Sequence, residues 1–203
     1  PDTFDDVRYW EEVMCAAADV VITVSAADAD HLRPLVREAS FFTVPLVQPP
    51  WPTQRIPAAG NRNGLLFIGG YRHPPNRDAC RWFASEIWPR LAGPNIPVTF
   101  LGEEPPEDLM ALEATLGFRV PGFRADVTPD FDSARVFVCP LRFGSGVKGK
   151  ILQALSAGLP IVATSLSIEG MDLDAGRDLL VADDAPAFAA AVDTLLTDNY
   201  VWD

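Results

Sequence analysis

The chain contains two lysines, Lys148 and Lys150, and both fall in one glycine-broken stretch, Phe143-Gly144-Ser145-Gly146-Val147-Lys148-Gly149-Lys150. The remaining positive charge is arginine. A short apolar run, Val136-Phe137-Val138-Cys139, precedes the stretch and reads as a buried strand, and a helical pattern follows it. Strand, glycine loop and helix N-terminus together present unpaired backbone N–H groups to an anion, and two ammonium groups there point to a phosphate. A tight strand-to-helix turn with two solvated lysines fits the same residues. The stretch alone does not separate the two readings.

The charge around the loop is uneven. The formal net charge is -12, which argues against nucleic acid or an anionic membrane surface as the general partner. From Ser133 to Ile168, however, there is no carboxylate, while Arg135, Arg142, Lys148 and Lys150 are present. An acidic chain that keeps one segment free of acids protects an anion site there, unless the segment is simply core, where charges of either sign are rare. Metal chemistry finds little support. Cys15, Cys80 and Cys139 are far apart, the only histidines are His31 and His73, and no Cys-x-x-Cys pair exists. Buried thiols in a reducing, cytoplasmic setting are expected, with no structural zinc and no cofactor. Asp183-Asp184 and Asp172/Asp174 read as solvated loop acids rather than a general acid/base pair. No apolar run approaches the length of a membrane span, and no signal-peptide pattern is read.

The elements that must position the loop follow from periodicity. Phe4 to Ala18 reads as a helix, Asp19 to Val24 as a strand, and Ser25 caps a helix to about Arg37, with Asp28 at capping-box spacing. Phe41 to Val44 is a further strand. Pro45, Pro49, Pro50, Pro52 and Pro57 then give a stiff, extended connector. The expected boundary therefore puts residues 1–60 with the end of a preceding domain and residues 61–203 in a second one. In the second, strands at Gly64–Ile68, Val98–Leu101, Phe118–Val120, Val136–Cys139, Ile161–Ala163 and Leu179–Val181 alternate with helices, among them Asn76–Leu91, Glu107–Leu116 and Ala185–Thr197. That alternation predicts an α/β fold, a doubly wound parallel sheet. The chain begins at Pro1 rather than a methionine, as expected of a fragment whose partner domain lies outside it.

In such sheets ligands bind beyond the carboxyl ends of the strands. Three of those ends carry glycine: Gly69-Gly70, Gly122, and Gly144 to Gly149. Arg72, just after the first, is placed to reach the same anion as Lys148 and Lys150, although a solvent-facing loop arginine fits as well. His73 fits a bystander better than a phosphate contact.

These residues resemble a known family. Leu66-Phe67-Ile68-Gly69-Gly70, Pro75-Asn76 and Trp82-Phe83 are similar to the start of the donor-binding half of family-four glycosyltransferases, the retaining GT-B type. The run from Gly144 through Lys148-Gly149-Lys150-Ile151, Gly158-Leu159-Pro160 and Thr164 is similar to that family's signature, as is Glu169-Gly170. The resemblance spans Gly64 to about Thr197, and residues 1–45 resemble the end of the acceptor-side domain. It implies transfer of a sugar from a nucleotide-diphosphate sugar, with retention and without a bound metal. It places the base near Val120, Gly122 and Phe123. It places the diphosphate between Gly69, Gly70 and Arg72 on one side and the Ser145-Gly146-Val147 backbone with Lys148 or Lys150 on the other. Gln153 then meets the ribose.

The sequence departs from the family pattern in two ways. Ser145 and Gln153 stand where two glutamates are usual, which leaves the donor sugar open. The lysine common after the first glycine turn is missing, and Asn76 lies near its place. Catalytic groups are not assigned. Two rival readings remain. One is a non-catalytic nucleotide or sugar-phosphate module, or an epimerase of the same fold. The other is a Walker A loop, Gly144 to Lys150, which lacks the magnesium-holding Ser or Thr because the next residue is Ile151.

Overall fold

The computed structural model describes residues 4–36, 38–52, 57–93 and 95–203. Arg37, the expected end of the second helix, and residues 53–56 of the proline-rich stretch lie outside these. The chain divides into two compact units. One comprises Pro1–Val47 with the short segments Ser145–Val147 and Glu169–Asp172, and the other Gln48–Gly144, Lys148–Ile168 and Leu173–Asp203.

The N-terminal unit contains helix α1 (Phe4–Ala16), strand β1 (Val20–Thr23), helix α2 (Ala26–Leu32) and strand β2 (Ser40–Thr43). β1 and β2 pair in parallel, in register from Val20↔Ser40 to Thr23↔Thr43. Ser25 caps α2 as its sequence predicts: its hydroxyl oxygen accepts from the Asp28 N–H at 3.1 Å. The helix is shorter than expected and ends at Leu32. Much of this unit's apolar surface is uncovered. Ile22 is 66% and Phe42 58% exposed on the strands, and Trp10 and Met14 are exposed on α1.

The larger unit is built on β3 (Leu65–Ile68), α3 (Pro74–Trp82), β4 (Val98–Leu101), α4 (Glu107–Leu116), β5 (Arg119–Gly122), α5 (Thr128–Ser133), β6 (Val136–Cys139), α6 (Gly149–Ser156), β7 (Ile161–Ala163), β8 (Leu180–Val181), α7 (Ala185–Thr197) and α8 (Asn199–Trp202). The six strands are all parallel, in the order β5-β4-β3-β6-β7-β8. The chain therefore builds outward from β3 to β5, crosses back, and starts the other half of the sheet with β6 beside β3.

Both faces of this sheet are covered. Phe67 lies in register with Phe100, and Phe137 with Leu66. Successive side chains on a strand point to opposite faces, so Phe67 with Phe100 and Phe137 fill opposite sides. Phe83, in the helical segment continuing α3, packs edge-on to Phe100 at 5.8 Å. On the other face Phe131 of α5 stacks on Phe137 at 5.8 Å. A strand covered twice must be apolar throughout, and Val136 to Cys139 are all fully buried.

Two of the buried cations are structural. Arg135 donates to the carbonyls of Leu195 and Ala59 and to Asn199 Oδ1, and Arg62 donates to the carbonyls of Phe131 and Ala157. The Trp202 ring contacts both guanidinium groups, at 5.6 Å from Arg62 and 5.8 Å from Arg135. The Trp202 indole N–H donates to the Arg135 carbonyl at 2.8 Å. This fastens α8 to the base of the sheet.

Candidate functional site

The strand order reverses between β3 and β6, and a crevice opens beyond the carboxyl ends of strands at such a reversal. Gly69 follows β3 there, and the loop after β6 leads into α6. Pro74 and Pro75 occupy the first turn of α3, where the missing N–H costs nothing. The following residue, Asn76, is buried at 7% exposure. Its amide Nδ2 donates to the Gly70 carbonyl at 2.8 Å, and its Oδ1 accepts from Lys150 Nζ at 2.6 Å.

Lys150 is therefore drawn across the crevice from α6 toward the β3 turn. Its ammonium lies 4.4 Å from the Phe67 ring centroid, a cation–π distance. Gly69 makes room for it: a Cβ at that residue would lie 2.6 Å from Lys150 Nζ. Burial holds the ammonium's pKa below the usual lysine value. Cys80 and Cys139 are its ionisable neighbours on α3 and β6, and burial pushes both thiols up, which keeps them neutral. Among the described residues no carboxylate forms an ion pair with Lys150. The result is a positive charge held in place by a neutral amide and an aromatic face.

Lys148 is buried at the start of α6, where Nζ donates to the Gly144 carbonyl at 3.3 Å across its own loop. α6 has no acid in its first turn and no side-chain cap, which leaves its N-terminal dipole uncompensated by the helix's own side chains. Ile151 is fully buried, so the position where a Walker loop needs a hydroxyl points into the core. The other two cations of the acid-free segment are used elsewhere. Arg135 fastens α8, and Arg142 makes a two-point ion pair with Asp78 at 2.9 and 2.5 Å.

Arg72 is exposed and held by Glu104, with Nε donating to Oε2 at 2.6 Å and a second, parallel contact to Oε1. The pairing raises the Arg72 pKa and lowers that of Glu104. Gly70 lies beside Glu103. Ser145, Gly146 and Val147 group with the N-terminal unit; Gly146 has φ 77, a left-handed conformation that favours glycine. Val120 is buried in edge strand β5, and its N–H donates to Glu113 Oε1 at 2.8 Å. Gly122 ends that strand at φ 79, and Phe123 beyond it is 72% exposed. Gln153 is half-buried on α6, three residues beyond Lys150 and so on the same side of the helix. His73 is the N-cap residue of α3, with no side-chain capping hydrogen bond.

Sequence reasoning missed the walls around Lys150: Phe67, Cys80 and Cys139. A signal existed for Cys80, which follows Asn76 by one helical turn. It also missed Glu104 as the partner of Arg72. Among the described residues, no group of three His, Cys, Asp or Glu side chains is placed to hold a metal ion. No described helix is long and apolar enough to cross a membrane.

A six-stranded parallel sheet with a cationic crevice at its reversal point matches the GT-B class of fold. The family model "Glycosyl transferases group 1" matches residues 62–198, and the chain belongs to that family. A Klebsiella pneumoniae protein described as an uncharacterized 44.6 kDa protein in the cps region is 25% identical over 135 residues, covering 62% of this chain and 35% of that protein. The crystal structure of TarM superposes with a TM-score of 0.76 at 12% identity, covering 97% of this chain and 40% of TarM. Anabaena Alr3699/HepE, in complex with UDP and glucose, superposes with a TM-score of 0.64 at 14% identity, covering 91% of this chain and 55% of that protein. The chain thus spans 35% to 55% of the length of these relatives.

Proposed function

We propose that this chain is the donor-binding half of a retaining, family-four-type glycosyltransferase. It moves a sugar from a nucleotide-diphosphate sugar to an acceptor, acts in the cytoplasm and needs no metal. The observation that carries this reading is the Lys150 ammonium, which lies at the sheet's reversal point with no carboxylate ion-paired to it among the described residues. Loss of the nucleoside diphosphate builds charge on phosphate, and preorganised cations and backbone N–H groups are the means of stabilising it. Lys150 and Lys148, the Gly69-Gly70 turn and Arg72 form the diphosphate site. Val120, Gly122, Phe123 and Gln153 form the nucleoside site. The UDP complex of the Anabaena protein supports a nucleotide ligand of this kind.

Residues 1–60 read as the end of an acceptor-side domain, with residues 61–203 as the donor domain. In support, parallel sheets are covered on both faces, whereas Ile22 and Phe42 of the two-stranded sheet are largely exposed. The acceptor and the catalytic group then belong to the remainder of that domain. This chain alone binds nucleotide weakly and transfers no sugar.

Calorimetry with UDP, GDP and ADP in the absence of magnesium tests the reading. One of them should bind, and Lys150→Ala should weaken it. A strict need for magnesium and a triphosphate would sink the proposal, as would wild-type affinity in both Lys148→Ala and Lys150→Ala. Ser145 and Gln153, standing where glutamates are usual, favour a second reading as a non-catalytic nucleotide module. Sugar transfer by the protein joined to its acceptor-side domain separates the two.

A further inference from the structure

We infer that Asn76 is a positioning residue of the diphosphate site: it fixes Lys150 beside the Gly69-Gly70 turn while leaving the ammonium's charge unneutralised for the ligand. The inference rests on the reading of Lys150 as a diphosphate contact, and adds a residue that acts through it.

The geometry carries the argument. Asn76 is buried, and both ends of its amide are in use: Nδ2 donates to the Gly70 carbonyl at 2.8 Å, and Oδ1 accepts from Lys150 at 2.6 Å. These two bonds fix which way the amide faces, because a carbonyl can only accept and an ammonium can only donate. One side chain thus ties the β3 turn to a lysine 74 residues further along the chain. An ammonium has three donors. One goes to Asn76, and the Phe67 ring covers one side at 4.4 Å, which leaves donor capacity for a phosphoryl oxygen.

The choice of side chain is informative. An aspartate here would hold Lys150 as tightly, but it would neutralise the charge and place a carboxylate oxygen against the Gly70 carbonyl. A lysine would bring a second positive charge against the first. The neutral amide orients the cation and leaves its charge intact. The titratable and charged groups facing Lys150 are Cys80 on α3, Cys139 on β6 and Lys148 in its own loop. None of them supplies the anion that the site lacks.

The chain's two lysines make this directly observable. Lysine labelled with ¹³C at Cε gives two side-chain signals, assigned by Lys148→Arg. In the wild type, UDP (or whichever of GDP and ADP binds more tightly) should move the Lys150 titration upward. In Asn76→Ala the affinity should fall about tenfold or more, the scale of one hydrogen bond to a charged group, and that upward movement should shrink. Asn76→Gln, which keeps the amide on a longer stem, controls for folding. It should retain the wild-type unfolding midpoint more closely than Asn76→Ala and bind with an affinity between the two. Wild-type affinity and wild-type titration response in Asn76→Ala, with binding lost in Lys150→Met, would overturn the role of Asn76 alone. Unchanged binding in Lys150→Met would overturn the diphosphate reading beneath it.

Discussion

Gly69 and Lys150 share one small volume: a Cβ on Gly69 would lie 2.6 Å from Lys150 Nζ and 2.7 Å from the Asn76 amide. Glycine is needed here for space rather than for backbone conformation. Gly69→Ala should therefore push the lysine's flexible end away from the turn. The expected result is about tenfold weaker diphosphate binding, with a stability loss at the low end of the ~1–3 kcal/mol typical of overpacking. Calorimetry with urea unfolding on the same preparation checks it. A larger stability loss with unchanged affinity would place the strain in the core instead.

Burial lowers the Lys150 pKa in the free protein, and an anion beside it raises the pKa again. Diphosphate binding should therefore take up a proton at pH values between the lowered pKa and the ordinary lysine value of about 10.4. For the free protein the sign is set by the unfolded chain, which keeps its proton longer over this window. The Lys150 contribution then makes stability rise with pH across it, and the penalty is fully present below the lowered pKa. Heats of binding compared in buffers of different ionisation enthalpy, just below the ordinary lysine value of about 10.4 and again near neutrality, measure the uptake. Absence of uptake at the higher pH would mean that the ligand does not reach Lys150.

Arg72 is tied to Glu104, and both side chains are exposed. Glu104 is also the one non-glycine residue with positive φ among the described residues, at 53. Arg72→Ala should leave the unfolding midpoint within about 2 °C, since exposed ion pairs contribute little, and should weaken diphosphate binding several-fold. Glu104→Gly relieves the backbone and releases Arg72. It should raise both the midpoint and the affinity. Lower affinity in Glu104→Gly would assign the carboxylate to the ligand rather than to restraint of the arginine.

Trp202 contacts both buried guanidinium groups. Trp202→Ala should cost about 3–5 kcal/mol, as large aromatic truncations do. Trp202→Phe should cost less, about 1 kcal/mol for the indole hydrogen bond alone. Neither should change diphosphate affinity in the folded protein, because α8 lies at the opposite end of the strands from the crevice. Urea midpoints on both variants decide this.

The alternation of strands and helices was legible because each strand of a parallel sheet is buried twice and so reads as an apolar run, Val136 to Cys139 being the clearest. α8 was not legible, since four residues carry no periodicity. The roles of Arg62 and Arg135 were hidden for a related reason. Arg135 counts in the sequence only as one cation of the acid-free segment, and only the fold brings carbonyls to either guanidinium group. The helix expected over Asn76–Leu91 runs as an α-helix to Trp82 and then through a wider and a tighter turn to Arg90. Pro89, which lacks an N–H, explains why regular helix cannot continue there. At the site, the lysine pair was conspicuous because it is the chain's whole lysine content. Which lysine crosses to the β3 turn, and what it meets there, depends on contacts between distant segments that local pattern cannot encode.

The order of the strands also sets when the crevice can exist. β3, β4 and β5 are laid down as neighbours, each joined to the next through a helical connection. The bond from Lys150 to Asn76 closes a span of 74 residues, and it requires β6 to return past two completed strands and dock at the centre. Long closures of this kind carry the larger entropic cost and form late. Closure of the crevice therefore waits on long-range pairing, whereas β3, β4 and β5 can pair before β6 arrives. A nascent or partly unfolded chain can hold half of this sheet and still lack the bond between Lys150 and Asn76.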